Sequence, residues 1–282
     1  MSRKLISFDW AMKKLLRSKA NFEILEGFLS ELLKDNIQIL DILDSESNQE
    51  NSRDKYNRVD FKVKNNNNEI IIIEVQYERE FDYLQRILFG TSKVITEHMH
   101  KSDPYKKIVK VISDNILYFD LGQGEDYIYH GTTTFQGLHK QDTLALPKEQ
   151  QALYHNTKIH KIFPEYYLIK VNNFDDVAKD TLDEWIYFLK NEQIQENFKA
   201  QGLLKAKQAL DIVKLPDNER RAYSSHQDDR HYQASMFESS YGVGRQKGIQ
   251  EVAIKLLTAN VLDKQTIAQM TGLTVQELDK LA

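Results

Sequence analysis

Residues 58–76 have the sequence RVDFKVKNNNNEIIIIEVQ, and this stretch decides the predicted fold. Residues 58–64 alternate between apolar and polar side chains, which is typical of a strand that is buried on one face. Residues 70–76 are apolar on both faces as far as Glu74, which is typical of a buried central strand. The four asparagines of residues 65–68 favour a turn between the two strands. The stretch therefore predicts a β-hairpin whose second strand lies at the centre of a sheet.

Two carboxylates of this hairpin, Asp60 and Glu74, are the candidate functional groups. If Lys64 lies opposite Ile70, the same register places Asp60 opposite Glu74, with Cβ atoms about 4.5–5.5 Å apart. Two like charges repel each other at that distance, and burying them unpaired costs several kcal/mol. A divalent cation removes both costs, and oxygen ligands without cysteine point to Mg²⁺ or Mn²⁺ rather than zinc. Gln76 projects from the same face as Glu74.

The register assumed for this hairpin has an alternative. A slip of one residue turns every side chain of a strand to the other face. Asp60 then faces solvent on an edge strand, paired with Lys62 or Arg58, and Glu74 only ends the buried run. The periodicity alone leaves both arrangements open.

The composition excludes several classes of function. The chain of 282 residues contains no cysteine, which excludes disulfides, thiolate zinc sites and cysteine nucleophiles. No apolar run approaches the roughly 18 residues of a membrane span, and the first residues do not resemble a secretory signal. We therefore expect a globular protein of the cytoplasm. A net charge of −4, from 38 basic and 42 acidic side chains, excludes a uniformly basic nucleic-acid-binding protein.

The N-terminal residues nevertheless form a local basic segment. Residues 1–20 contain six basic side chains against one acidic side chain, Asp9. Three of the basic residues, Lys13, Lys14 and Arg17, belong to a helix that apolar spacing predicts over residues 8–18. Their charges are candidates for contacts with nucleic-acid phosphates. A solvated helix face is the other interpretation of the same charges.

The rest of the first 174 residues predicts an α/β domain, a mixed sheet with helices on both sides. Apolar spacing predicts a second helix from residue 22 and a helix of about twenty residues after the hairpin. Residues 44–57 are too polar for anything but a loop. Further strands are predicted over residues 37–43 and in the segments KIVKVIS, NILYFDL, DYIYHGTTTF and PEYYLIKV.

The second half of the chain is predicted to be helical. Residues 1–174 form the predicted core domain, residues 175–240 a helical extension and residues 241–282 a small helical tail. The tail has the spacing of a helix-turn-helix, with Gly272 at the turn. Its second helix has few side chains that contact phosphates or bases, which favours packing or formation of a homo-oligomer over DNA binding. The polar residues 220–233 predict a solvated loop ahead of the tail.

The motif Asp60-x13-Glu74-x-Gln76 resembles that of the PD-(D/E)XK nuclease superfamily. Further segments resemble one branch of it, the Rpn-type recombination-promoting nucleases, also described as PD-(D/E)XK nuclease family transposases. In chain order these segments are DWAMKKLL, RVDFKV, IIIEVQ, FDYLQRILFGTSKV, WIYFLK and LLTANVLDKQTIAQMTGLTVQEL. The resemblance covers most of the chain and implies a restriction-endonuclease-like core followed by a helical C-terminal region.

The resemblance implies a metal-dependent DNA endonuclease that is linked to recombination or to a mobile element. It implies that Asp60 and Glu74 bind Mg²⁺ or Mn²⁺, and that Gln76 stands where most of the superfamily has lysine. It also makes Asp9 a candidate third ligand, or a residue that supports the ligands, and Arg86 a candidate phosphate contact. The residues alone allow a different role for each. Asp9 is then a negative charge that stabilises the N-terminal end of a helix, and Arg86 is a surface or packing residue.

Gln76 leaves a second function open. A lysine supplies charge that stabilises the attacking hydroxide or the phosphorane, whereas a glutamine only orients water. The alternative is therefore a nucleic-acid-binding or assembly protein on a nuclease-like fold, with slow or lost cleavage. The intact carboxylates argue against this alternative, because a protein that only binds phosphates gains nothing from Asp60 and Glu74 without a cation.

Overall fold

The computed structural model describes residues 5–43, 60–154 and 158–281. Its helices are α1 (Phe8–Lys14), α2 (Phe22–Leu33), α3 (Tyr83–Glu97), α4 (Lys148–Tyr154), α5 (Thr181–Asn191), α6 (Leu203–Ala209), α7 (Asp217–Ala259), α8 (Lys264–Thr271) and α9 (Val275–Leu281). Its strands are β1 (Ile39–Ile42), β2 (Phe61–Asn65), β3 (Ile70–Gln76), β4 (Val111–Leu117), β5 (Ile128–Gly131) and β6 (Glu165–Lys170). None of the described helices is long and apolar enough to cross a membrane. The loop predicted over residues 44–57 lies outside the described residues.

The strands of the described residues form one mixed sheet in the order β1-β2-β3-β4-β6-β5. β1, β2 and β3 pair antiparallel, β3, β4 and β6 pair parallel, and β5 pairs antiparallel with β6. The hairpin predicted from residues 58–76 is β2 and β3, and β3 is a central strand as predicted. The predicted α/β class with a mixed sheet is confirmed.

The asparagine tract closes this hairpin with hydrogen bonds of its own. The side-chain oxygen of Asn65 accepts from the backbone N–H groups of Asn67, at 3.0 Å, and Glu69, at 2.8 Å. Asn68 has a φ of 59°, a left-handed conformation that asparagine adopts more readily than most residues. The turn is therefore encoded locally, and it fixes which residues of the two strands lie opposite each other.

β4 is one strand where the sequence predicted two. It runs without a break through Ser113, Asp114 and Asn115, between the predicted strands KIVKVIS and NILYFDL. Because β4 pairs with β3 on one side and β6 on the other, all of its residues are buried. Asn115 satisfies its amide by donating to the backbone carbonyl of Tyr167 at 3.1 Å. The prediction of two strands was wrong because the polar residues in the middle of β4 resemble a turn.

One face of the sheet is covered by α1, α2, α5 and α6. Trp185 of α5 is fully buried there, and the rings of Phe8 and Phe28 meet it edge-on at centroid distances of 6.2 and 5.6 Å. Helices beyond residue 174 thus share the core of the sheet. Contacts between residues divide the chain into two compact units. The first ends at Tyr223, and the second is Ser224–Ala282. The assignment of three separate domains stays a prediction.

Gly27 of α2 lies against the backbone that precedes α6. A Cβ atom at this position would lie 2.2 Å from the carbonyl oxygen of Gln201 and 2.8 Å from the Cα of Gly202. Backbone atoms in a packed core cannot move aside, so we expect Gly27→Ala to lower the free energy of unfolding by about 2 kcal/mol in urea denaturation. Gly242→Ala is the control, because nothing lies within 4 Å of the added atom and alanine favours the helix. Equal stability of the wild type and Gly27→Ala contradicts this packing.

The other face of the sheet is covered by α3. Tyr83 and Ile87 pack with Leu117 of β4, and Val94 packs with Ile70 of β3. The helix predicted after the hairpin is confirmed, with 15 residues. Its exposed side carries Leu84 and Leu88.

The second unit includes most of α7, a helix of 43 residues. This helix contains residues 220–233, so the loop predicted there was wrong. Pro216 precedes its first turn and no proline follows, so nothing interrupts the hydrogen bonds of the helix. After α7, the pair α8 and α9 is joined at Gly272, which has a φ of 73°, as the helix-turn-helix spacing predicted. Self-association through these helices stays a prediction.

Candidate active site

The register of the hairpin places Asp60 opposite Glu74. Lys64 pairs with Ile70, and the ladder continues in step, so that Asp60 and Glu74 form the next pair beyond its last described rung. This is the predicted register. Since side chains two residues apart share a face, Glu74 and Gln76 lie on the side of the sheet that α3 covers, whereas Asp60 lies one residue before β2 begins.

Asp60 is held by the hairpin and by the basic residues of the N-terminal segment. Its Oδ2 accepts from the backbone N–H of Val75 at 2.9 Å, and its Oδ1 lies 3.5 Å from the Nζ of Lys13. Arg17 Nη2 donates to the backbone carbonyl of Asp60 at 3.5 Å. Two of the three N-terminal cations that were predicted to bind phosphates therefore lie beside Asp60, and the third, Lys14, is exposed at the end of α1.

The alternative arrangement of Asp60 is not the one observed. Lys62 is buried and its Nζ lies 3.4 Å from a carboxylate oxygen of Glu97, at the C-terminal end of α3. Arg58, the other partner considered for Asp60, lies outside the described residues. The side chain of Asp60 is 25% exposed, so it is open to solvent on one side only.

Glu74 is a buried carboxylate, with 6% of its side chain exposed. Its Oε2 lies 3.3 Å from Arg86 Nη2, yet among the described residues this oxygen accepts no hydrogen bond. Burial raises the pKa of Glu74 to about 7; the Arg86 guanidinium opposes this shift and the Asp60 carboxylate adds to it. A buried carboxylate with an unsatisfied oxygen is stabilised by any further cation that reaches it.

Arg86 and Glu80 connect α3 to Gln76. Arg86 Nη1 lies 2.6 Å from Glu80 Oε1 and 3.4 Å from Gln76 Oε1. Gln76 Nε2 donates to the same Glu80 oxygen at 3.2 Å and to the backbone carbonyl of Glu78 at 3.1 Å. These bonds hold the amide of Gln76 in one orientation, with its oxygen toward the guanidinium of Arg86.

Tyr83 and Asn115 support this network from the core. Tyr83 is fully buried and its hydroxyl donates to Asn115 Oδ1 at 3.0 Å. Burial, together with the neighbouring Glu74, raises the pKa of Tyr83, so its hydroxyl stays protonated and remains a donor. Asn115 lies beside Glu74 in the parallel ladder of β3 and β4. Tyr83 and Asn115 therefore lie on the side of Glu74 that faces away from solvent.

Asp9 reaches the end of β3 through a tyrosine. It is buried in α1, and its Oδ1 accepts from the hydroxyl of Tyr77, the residue after Gln76, at 3.0 Å. In the part of the chain that the structure describes, no group of three or more acidic or histidine side chains is arranged to hold a metal ion. Asp9 as a third ligand therefore stays a prediction.

The chemistry of Asp60 and Glu74 fits a divalent cation of the Mg²⁺ type. Both offer carboxylate oxygens, the ligands that hard cations prefer. The buried Oε2 of Glu74 lacks a hydrogen bond among the described residues, and Asp60 Oδ1 has the partly exposed amine of Lys13 as its neighbour. Lys13 and Arg86 are the cations that neutralise the two carboxylates in this structure.

A comparison with models of protein families gives a match. The model of the family described as PD-(D/E)XK nuclease family transposase matches residues 6–240. The chain belongs to this family. The match includes the sheet, α3 and every site residue named above, so the resemblance drawn from the motif is confirmed. A search of curated proteins and a search of solved structures return no match.

Membership of this transposase family supports a nuclease-like function and implies a nucleic-acid substrate. Three residues that surround the carboxylates escaped the sequence analysis: Glu80, Tyr83 and Asn115. Glu80 lies four residues after Gln76 in a charged loop, where nothing in the pattern marks it. Tyr83 and Asn115 each look like ordinary members of a helix and a strand, so only packing reveals that they meet.

Proposed function

We propose that this PD-(D/E)XK domain hydrolyses DNA phosphodiester bonds with Mg²⁺ or Mn²⁺ bound between Asp60 and Glu74. The observation that carries the proposal is the opposed pair itself, with a buried Glu74 oxygen that no hydrogen bond satisfies among the described residues. A cation bound there polarises the scissile phosphate and lowers the pKa of a water. Action on recombining or mobile DNA, and a cytoplasmic location, belong to the same proposal.

Arg86 supplies a positive charge beside the position where most of the superfamily has lysine. Its Nη1 lies 3.4 Å from Gln76 Oε1, so a fixed cation from α3 stands next to the neutral amide. Gln76 orients the attacking water through its amide oxygen, and Arg86 stabilises the negative charge that develops on the phosphate. Lys13, Lys14 and Arg17 contact the flanking phosphates.

The proposal is tested by incubating the purified protein with duplex, single-stranded and branched DNA and with RNA, in Mg²⁺ or Mn²⁺. We expect cleavage of at least one DNA form, loss of cleavage in excess EDTA, and loss in Asp60→Asn. Asp41→Asn is the matched control, since Asp41 is an exposed aspartate on the neighbouring strand β1. Cleavage that persists in EDTA or in Asp60→Asn rejects the metal mechanism.

A second candidate function is nucleic-acid binding without efficient cleavage. It is favoured by one observation, that Arg86 and Lys13 already neutralise the two carboxylates that a metal ion requires. The same assay separates the two functions, because a protein of this second kind retards DNA in a gel at constant salt and leaves it intact in every metal tested.

Gln76 is expected to affect turnover more than metal binding. Because its amide is fixed by Glu80 and Arg86, Gln76→Ala removes the group that orients water but leaves both carboxylates. We expect cleavage to slow by about 10- to 100-fold, with a metal dissociation constant within about twofold of the wild type. Isothermal titration with Mn²⁺ and single-turnover cleavage measure the two effects. Equal losses of metal affinity in Gln76→Ala and Glu74→Ala show that Gln76 is a ligand instead.

A further inference from the structure

The outward face of α3 carries no charged side chain. The exposed residues of this helix are apolar or uncharged, in chain order Leu84, Gln85, Leu88, Phe89, Ser92 and Thr96. The exposed side of a helix that faces only water normally carries charged residues, and 28% of this chain is charged. A face of apolar, aromatic and uncharged side chains is instead typical of the centre of an interface between proteins.

The sizes of these side chains suit a second copy of the same helix. The large ones lie toward the N-terminal end, where Phe81 in the preceding turn is followed by Leu84, Leu88 and Phe89. Toward the C-terminal end the exposed side chains are small, as at Ser92. Two copies that run antiparallel therefore place large side chains against small ones. A two-fold dimer uses the same patch on both copies, so such a patch has to complement itself.

Two charges at the edge of this face complement each other in the same arrangement. Asp82 is exposed at the N-terminal end of α3, and the half-buried Lys93 lies about three helical turns later, on the same flank. Among the described residues, neither side chain forms an ion pair. A two-fold axis that passes beside Ile87 and Leu88 brings Asp82 of each copy next to Lys93 of the other. Opposite charges that flank two paired helices favour that partner and that orientation.

We propose that α3 is the contact between two copies of this chain, which pack antiparallel about a two-fold axis. The face offers no cation to a phosphate, so a nucleic acid is not its occupant. A second copy is the partner that supplies a cation to Asp82 and an anion to Lys93 at the same spacing. The inference goes beyond the proposed function and does not rest on it.

The first test measures the mass of the full chain by sedimentation equilibrium over a range of protein concentrations, without DNA or metal. We expect the wild type to dimerise and Leu88→Glu to raise the dissociation constant of the dimer by about 30-fold or more. Leu88 is 58% exposed, so the glutamate disturbs no core and the circular dichroism should stay unchanged. Leu138→Glu is the matched control, because Leu138 is 88% exposed in the connection between β5 and α4, and it should dimerise like the wild type.

The second test reverses the flanking charges. Asp82→Lys and Lys93→Asp each place like charges together at both flanks of the dimer, so each should weaken dimerisation by about 5- to 30-fold at low salt. An equal mixture of the two variants should dimerise like the wild type. In the mixed dimer the introduced lysine meets the introduced aspartate, and the native Lys93 of one copy meets the native Asp82 of the other.

The other outcomes overturn the proposal. A wild type that stays a monomer at every concentration does so, and this includes the case in which another part of the same chain covers α3. A dimer that Leu88→Glu leaves intact places the contact elsewhere, for example on α8 and α9. Two charge variants that do not recover on mixing reject the antiparallel pairing. Because the particle mass is read without DNA, the proposed nuclease stands or falls separately.

Discussion

Glu74→Gln is expected to lower metal-dependent cleavage by about 10³-fold or more and, at the same time, to stabilise the metal-free protein at pH 8. Several kcal/mol of transition-state stabilisation are lost with the ligand, and each 1.4 kcal/mol is worth about tenfold in rate. The gain in stability arises because the charged form of Glu74 is costly inside the fold. Burial raises its pKa from 4.5 to about 7, and glutamine carries no charge to bury.

The sign and size of this stability effect follow from the two pKa values. A carboxyl with a raised pKa in the folded state costs nothing below the unfolded value, and its cost grows as pH rises from 4.5 to about 7. A shift of that size corresponds to about 3 kcal/mol, or about 6–12 °C in Tm for a domain of this length. We therefore expect Glu74→Gln and the wild type to melt together near pH 4.5 and to diverge up to pH 8.

Two measurements accompany the melting curves of Glu74→Gln. Glu80→Gln is the control, since Glu80 also pairs with Arg86 but a third of its side chain is exposed, so its removal should bring no gain. Excess Mg²⁺ should raise the Tm of the wild type and leave that of Glu74→Gln unchanged, because only a protein that binds the ion is stabilised by it. A Glu74→Gln protein that is less stable than the wild type at pH 8 contradicts the inference that burial makes the charged form of Glu74 costly.

Asp114→Val is expected to raise the free energy of unfolding by about 1–3 kcal/mol at pH 8. Asp114 lies in β4 between Ile73 and Tyr167 in the ladder, it is completely buried, and neither of its carboxylate oxygens has a hydrogen-bond partner among the described residues. Burial raises its pKa well above the ordinary value, and the Glu165 charge adds to the shift. Valine is apolar and favours strands, so it removes the cost of the buried polar group.

The pH dependence provides the check on Asp114. The part of its cost that comes from ionisation is absent where the unfolded carboxyl is also protonated, below about pH 4, and it grows as pH rises. Urea denaturation at pH 4 and pH 8 should therefore show a small difference between Asp114→Val and the wild type at the first pH and a large one at the second. Asp183→Asn is the contrast, because the buried Asp183 accepts from Tyr127 and Lys179 and its loss should destabilise. A destabilised Asp114→Val protein would show that the carboxyl has a partner in solution.

The local parts of this fold are predictable from the sequence for a physical reason. The turn of the hairpin is made by Asn65 and its neighbours, so its register depends on residues less than twenty positions apart. Register in turn places Asp60 opposite Glu74, and strand periodicity adds Gln76 to the same face. The helices α2 and α3 follow from apolar spacing in the same way.

Polar residues inside regular elements are where prediction from the sequence failed. In β4 the residues Ser113, Asp114 and Asn115 resemble a turn, and only the strands on either side of them explain why they are buried. In residues 220–233 the side chains are polar on all faces, so no periodicity marks the helix α7 that contains them. Polarity indicates a loop only if no neighbouring element imposes a conformation.

By itself the sequence determined the hairpin, its register and therefore the pair of opposed carboxylates, because strand periodicity and an asparagine turn are local properties. Only the tertiary structure decided what surrounds the pair. Lys13 reaches Asp60 from a helix some fifty residues earlier, and Arg86 reaches Glu74 from a helix packed on the sheet. The raised pKa of Glu74 is likewise a property of that packing, since burial under α3 removes water from a carboxylate. Contacts between residues distant in the chain depend on how whole elements pack, and no local pattern encodes that.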